Sequence, residues 1–236
     1  MSRTPIWAAI ADALRGEIAQ SSYASGAKLP SEAQLAHRFG VNRHTVRHAL
    51  ATLAEAGLVQ PRRGAGVFVT SVPTDYPLGR RVRFQQNVLA SGRTPSRQLL
   101  RSETRPASPI EAEALALPSA DPVHLIEGVS LADGMPMGLF RSVVPAVRFP
   151  GFPEAMARLH SITAALAEAG VGDYTRASTR LTAKVADAVQ AGHLQVPQGA
   201  ALLRSVTVNV DAAGQPVEFG TTWFVGDRVT LTVTPD

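Results

Sequence analysis

Three features of the sequence predict an α+β chain built in two parts. Helical patterns ending in a glycine-rich, β-branched segment fill residues 1–70. A short proline-containing stretch, 71–77, reads as a linker. Hairpin signals with helices interspersed then run from 78 to 236. At 236 residues the chain is long enough for two domains. Charge divides at the same place. Residues 1–70 hold eight Lys/Arg against four Asp/Glu, and the remainder holds fifteen of each, so the whole formal excess of +4 sits in the first part. Between 37 and 63, Arg38, Arg43, Arg47, Arg62 and Arg63 face a single carboxylate, Glu55. Such a stripe is either the footprint of a polyanion partner or a basic solvated surface.

Composition excludes several function classes. There is no cysteine, hence no disulfide, thiolate metal site or cysteine nucleophile, and a cytoplasmic protein is expected. Asp12, Arg15 and Glu17 interrupt the apolar pattern of the first twenty residues, which do not read as a secretory signal. No uncharged apolar run approaches membrane-spanning length, so no membrane partner is expected.

Thr4-Pro5 places a capping hydroxyl before a proline at the first helical position. Ile6, Ile10, Leu14 and Ile18 then mark one helix face. Ser31 with Gln34 is a capping box, Leu35 and Phe39 supply the apolar face of a short second helix, and Gly40 stops it. Asn42 caps a third helix whose Val46, Ala49, Leu50 and Leu53 face inward and which Gly57 ends. Arg43, His44, Thr45, Arg47 and His48 are left facing out. Leu58-Val59, Pro61-Arg62-Arg63-Gly64-Ala65-Gly66 and Val67-Phe68-Val69 read as a two-stranded wing with a basic, glycine-rich tip. Together these elements predict a winged helix-turn-helix, whose third helix meets base edges with its front end.

His44 and His48 stand four apart, a spacing that can hold a metal. The zinc-protease pattern needs a glutamate where Thr45 stands, and no other ligand lies nearby, so no metal is expected. Gly64-Ala65-Gly66 lacks the third glycine and following helix of a nucleotide loop, and no cofactor is expected.

The run Leu29-Pro30-Ser31-Glu32, Leu35-Ala36, Arg38-Phe39-Gly40-Val41, Arg43, Thr45-Val46-Arg47, Ala49-Leu50, Leu53, Gly57-Leu58 and Gly64-Ala65-Gly66-Val67-Phe68-Val69 resembles the GntR family of regulators. The resemblance implies that Arg38, Arg43, Thr45, Arg47 and Gly66 approach double-stranded DNA, and that homodimers sit on inverted-repeat operators. Arg43 and Arg47 are the candidate base readers, because arginine pairs bidentately with guanine. His44 lies beside them, and Arg38, Arg62 and the wing amides at Gly64 and Gly66 are candidates to hold the phosphates.

In the second part, Leu125–Leu131 and Met137–Val144 flank Asp133-Gly134, a hairpin signal. Leu202–Val210 and Val217–Val225 flank Asp211–Gly214, Arg228–Val233 alternates like a last strand, and Tyr174–Val185 is a further strand candidate. Helices are predicted after Ser108-Pro109, after Ser161 and after Asp187. No strand-helix-strand rhythm repeats, so the sheet is expected to be mainly antiparallel.

Phe84, Gly92, Asp133-Gly134-Met135-Pro136, Pro216-Val217-Glu218 and Gly226-Asp227-Arg228 resemble the effector domain of the HutC branch, the chorismate-lyase-like UTRA fold. Tyr76-Pro77-Leu78-Gly79, Arg83-Phe84 with Asn87, Arg148-Phe149-Pro150, Asp173-Tyr174, Arg176, Thr179-Arg180 and Val208–Asp211 are similar to the regulators of phosphonate utilisation. The resemblance implies a ligand-responsive repressor with no catalytic residues, switched by a small anionic effector. Where many such domains carry an Arg-x-Arg pair before the Asp-Gly turn, this sequence has Gly128 and Ser130, which cannot supply a guanidinium fork. Charge for the anion must come from elsewhere. Arg83, Arg176 and Arg180 are the candidates, with Phe84, Tyr174, Glu218 and Arg228 completing the expected site. Arg176 and Arg180, four apart in one strand, are expected on one face, and Arg83 at a helix start where amides are free. The alternatives are a regulator of another pathway, with a sugar phosphate, amino acid or histidine-related effector, and a lyase-like enzyme fused to a DNA-binding domain. A purely architectural DNA binder is a further rival.

Overall fold

The computed structural model describes residues 5–20, 22–23, 26–62, 64–70, 73–81 and 83–233, without the side chain of Arg62. The chain divides into two compact units, Met1–Val72 and Pro73–Asp236.

In the first unit, α1 spans Ile6–Ala19 with Pro5 as its N-cap rather than its first helical residue, and Thr4 lies outside the described residues. Ile10 and Leu14 are buried as expected. Ile6 is 64% exposed, and Trp7 is the residue beside it that packs on the core. The capping box of Ser31 and Gln34 opens α2 (Glu32–Phe39), and Gly40 closes it in the left-handed conformation at φ 65°. Asn42 accepts from the Thr45 amide to start α3 (Arg43–Glu55), which buries Val46, Ala49, Leu50 and Leu53. The wing strands β1 (Val59–Arg62) and β2 (Gly66–Val69) pair antiparallel, and Lys28 bridges to Phe68 on the outer side of β2.

The second unit opens with β3 (Thr74–Pro77). This segment is not linker, because it pairs in parallel with β10 (Val229–Thr232), the last strand. Then come α4 (Phe84–Ala90), β4 (Pro95–Pro106), α5 (Pro109–Leu115), β5 (Pro122–Ala132), β6 (Met135–Pro145), α6 (Phe152–Leu159), α7 (Ile162–Glu168), β7 (Thr175–Val185), α8 (Ala188–Leu194), β8 (Ala201–Val210) and β9 (Pro216–Val225). The main sheet is antiparallel throughout, in the order β4-β5-β6-β9-β8-β7. Asp133 and Gly134 turn β5 into β6 with positive φ at both positions, the conformation a two-residue hairpin requires.

Helices cover both faces. On one, α6 and α7 pack Phe152, Met156 and Leu166 against Ile126, Phe140 and Val144. On the other, α5 lays Ala112 and Leu115 against Leu125 and Val143, and α8 lays Leu194 against Leu202 and Val225. Among the described residues no helix is long and apolar enough to cross a membrane.

Candidate functional site

On the first unit, Arg43 and His44 lead α3 and are exposed, with Thr45 half-buried behind them. Arg47, one turn on, is 68% exposed but not idle: its Nε and Nη2 donate to both oxygens of Glu32 at 3.0 and 2.8 Å. Arg38 grips Glu17 with two nitrogens and donates to the Tyr23 hydroxyl at 3.2 Å. Hydrogen bonds from these arginines hold the Glu17 and Glu32 carboxyls below the usual carboxylate range. His48, expected simply to face out, stacks on Trp7 with ring centroids 4.3 Å apart. Gly66 has φ 109°, which favours glycine; a Cβ there would come 2.8 Å from the end of the flexible Lys28 side chain, which can swing aside, so the backbone angle sets the requirement. Gly64 is likewise left-handed, while the Arg62 side chain and Arg63 fall outside the described residues. The sequence-predicted DNA-contacting residues that are described thus share one unit, with two arginines parked on carboxylates.

The second unit holds a cavity of about 70 Å³ on the α6/α7 face of the sheet. Arg97 enters from β4 and Arg176 from β7, the two edge strands. In each guanidinium, Nε and Nη1 are shut off from solvent and find no hydrogen-bond partner among the described residues. Burial pushes both arginines below their usual pKa range. Arg97 lies over the rings of Phe140 and Phe84, 4.7 and 5.4 Å from their centroids. Tyr76 sits between the two cations electrostatically, yet burial dominates and raises its hydroxyl to about 12, so it stays a neutral donor. Glu218, from β9, accepts from Ser142 Oγ at 2.6 Å and Asn209 Nδ2 at 2.7 Å. Tyr174 lines the wall and shares a 2.9 Å hydrogen bond with Thr163.

Of the seven expected effector residues, Phe84, Tyr174, Arg176 and Glu218 line this cavity; Arg83, Arg180 and Arg228 do not. Arg83 is the N-cap of α4, but its guanidinium is committed. It donates to Asp173 and the Tyr174 carbonyl at 3.0 and 2.8 Å and stacks 3.6 Å over the Tyr174 ring. It instead borders a hollow of about 180 Å³ between α4 and α7, which shares Phe84, Arg97 and Thr163 with the cavity. Arg228 is a structural brace, donating to the carbonyls of Pro136, Leu194 and Gln195.

The expectation for Arg176 and Arg180 is corrected by one residue. A β-bulge between Arg176 and Ser178 sets Arg176 opposite Asn209 but Arg180 opposite Val206, on the other side of the pleat. Arg180 therefore opens onto the α5 face, in a separate hollow of about 270 Å³ with Ile110, Glu113 and Phe219.

The place of the missing arginine pair is also resolved. At Gly128 a Cβ would collide with the Gln98 carbonyl and lie 2.7 Å from the Phe140 ring, so no side chain fits. Ser130 is buried in the cavity, directly across from Arg97 in the adjacent strand. A guanidinium thus stands beside Ser130, supplied by the neighbouring strand. Sequence reasoning missed Arg97 because it missed β4 altogether. The signal, Arg97 and Leu99 alternating between polar neighbours, was present but sat inside a segment bounded by prolines and dense in charge.

Comparison with known proteins agrees with both halves. Residues 7–69 match the family described as bacterial regulatory proteins, gntR family, and residues 90–230 match the UTRA domain. A helix-turn-helix transcriptional regulator of Rhizobium meliloti strain 1021 is 40% identical over 229 residues, 97% of this chain and 94% of that one. The protein named probable transcriptional regulator PhnF of Escherichia coli K12 is 34% identical, covering 95% and 92%. The crystal structure of PhnF from Mycobacterium smegmatis superposes with a TM-score of 0.68 at 27% identity, over 98% of this chain and 99% of that one. These relatives are regulators, not enzymes. The chain belongs to the GntR family of bacterial transcriptional regulators, in the HutC branch whose DNA-binding winged helix is joined to a UTRA domain, and it is PhnF-like.

Proposed function

We propose that this regulator is a repressor of phosphonate uptake or metabolism genes, released from or re-posed on its operator by a small anion bound between Arg97 and Arg176. The observation behind the effector class is the pair of guanidiniums whose inner nitrogens are buried and have no hydrogen-bond partner among the described residues. Unpaired buried donors on a cation are costly, and an oxyanion would satisfy them with charge-assisted hydrogen bonds. The relatives named PhnF support the pathway. The repressor assignment draws on a relative named as a repressor in Mycolicibacterium smegmatis, 29% identical over 88% of this chain.

Size supports a small ligand. At about 10–15 Å³ per water-sized group, the 70 Å³ cavity holds roughly five to seven such groups. Inorganic phosphate or a short phosphonate fits. A sugar phosphate would have to run past Arg97 into the hollow beside α4, and that adjoining space is what favours the second reading, a regulator of another pathway with a longer effector.

A homodimer would present two α3 helices to two half-sites of an inverted repeat, with Arg43 and Arg47 reading bases and Arg38 and the wing holding phosphates. Binding of the anion to one arrangement in preference to another would set the switch. The test is a thermal melt with phosphate, methylphosphonate and a hexose phosphate, followed by operator binding with whichever stabilises. A ligand at 100 times its dissociation constant should add about 2.7 kcal/mol. Stabilisation by a phosphorus anion, with altered operator affinity, supports the reading. Stabilisation by an uncharged metabolite alone overturns it.

A further inference from the structure

The cavity is not purely an anion site, because Glu218 shares it with the two arginines. The carboxylate is only 6% exposed, and its hydrogen bonds from Ser142 and Asn209 are both from neutral donors. Among the described residues it pairs with no cation, although a carboxylate offers about four lone-pair sites and here two are taken. A buried ion without an opposite charge beside it is disfavoured unless something compensates it. The arginines feel Glu218 electrostatically but are not in contact with it.

Charge arithmetic then constrains the ligand. Arg141 also borders the cavity, but its guanidinium is paired with Glu127, so the two remaining guanidiniums and the one carboxylate leave a net charge of +1. A bare dianion would satisfy the arginines while meeting Glu218 as a like charge. A monocation would do the reverse. A molecule with a doubly charged phosphonate at one end and an ammonium at the other has a net charge of −1 and places each charge beside its opposite.

We infer that the effector is a short zwitterion, its anionic phosphorus group held by Arg97 and Arg176 and its ammonium donating to Glu218. This rests on the anion reading above and narrows it. Substrate-like discrimination follows from the same geometry: a site built to accept a hydrogen bond rejects an analogue that lacks the donor.

The experiment is calorimetric titration of the full chain with 2-aminoethylphosphonate and n-propylphosphonate, which match in heavy-atom count and differ in one terminal group. The wild type should bind the amino compound at least tenfold more tightly. Glu218→Gln should bring the two within about twofold of each other, because it removes both the partner of the ammonium and the like charge that opposes n-propylphosphonate, and measurable binding of either compound reports that the variant is folded. Equal wild-type affinities would overturn the zwitterion and leave the anion site standing. Binding of inorganic phosphate but of neither phosphonate would overturn the zwitterion alone, and binding of none of the three would overturn both readings. Selectivity that survives Glu218→Gln would assign the ammonium to another group and overturn the role of Glu218. The wild-type comparison decides the ligand class even where the variant fails to fold.

Discussion

The two units treat arginine in opposite ways. On the winged helix, Arg38 and Arg47 are exposed and each is held by a carboxylate on a neighbouring helix. In the cavity, Arg97 and Arg176 are enclosed and their inner nitrogens have no hydrogen-bond partner among the described residues. An exposed ion pair contributes little to stability because water competes for both ends, so it can be exchanged for a phosphate at small cost. A buried unpaired guanidinium is the reverse: it is a standing cost in the empty state and a large gain when an anion arrives. The first arrangement suits a surface that slides between many sites. The second suits a sensor that must respond to one ligand.

The largest effect should come from the cavity. Arg97→Met is expected to weaken phosphorus-anion binding at least 100-fold in calorimetry. The same change should raise the melting temperature of the empty protein by about 2–4 °C, since removing a buried unpaired charge often stabilises by about 1 kcal/mol or more. A variant that melts lower than wild type without ligand would show that Arg97 already has a compensating partner, and the contrast between units would break.

Arg105 tests the middle ground, a cation paired within the fold. It contacts both oxygens of Glu111, which also accepts from the Ser108 amide, and these bonds pull the Glu111 carboxyl down to about 2. A depressed folded pKa gives stability that is full above the unfolded value near 4.5 and fades as pH falls through about 2. Glu111→Gln should therefore cost about 2 kcal/mol at pH 7, with the gap to wild type more than halved at pH 3, as read from urea midpoints. A gap independent of pH would mean the bonds matter only for their shape.

Smaller effects belong to the winged helix. Arg47→Ala should weaken operator binding about 10- to 100-fold, with less loss on random DNA. Equal losses in a filter or mobility assay would make it a phosphate contact. Glu32→Gln, which loosens the hold on Arg47, should tighten binding to random DNA only a few-fold at low salt and narrow the preference for operator. No change in that preference would mean the ion pair is mere surface.

The winged helix was legible in the sequence because each element carries its own local chemistry. Ser31 and Gln34, Gly40 and Asn42 act within a few residues of chain, and so does the Asp133-Gly134 turn. The cavity was only half legible. Tyr174, Arg176, Phe84 and Glu218 could be named from a resemblance, but Arg97 belongs to a strand whose charges and prolines hide it. The side of the pleat taken by Arg180 depends on a bulge, and nothing in Arg-Ala-Ser announces one. The pairs Arg47–Glu32 and Arg38–Glu17 join residues 15 and 21 apart, a distance at which sequence spacing is silent.

The pairing of β3 with β10 has a mechanical consequence. Thr74 through Pro77 are clamped by Val229 through Thr232, with the Thr74 amide donating to Arg228 and the Leu78 amide to Thr232. Residues 74–77 are therefore held to the second unit by its last strand rather than left as free linker. Removing β10 would release residues 73–78, paying out roughly 20 Å of slack at about 3.3–3.6 Å per residue. The side chains of α3 and those lining the cavity would all remain, yet the chain entering the second unit would no longer be clamped to it.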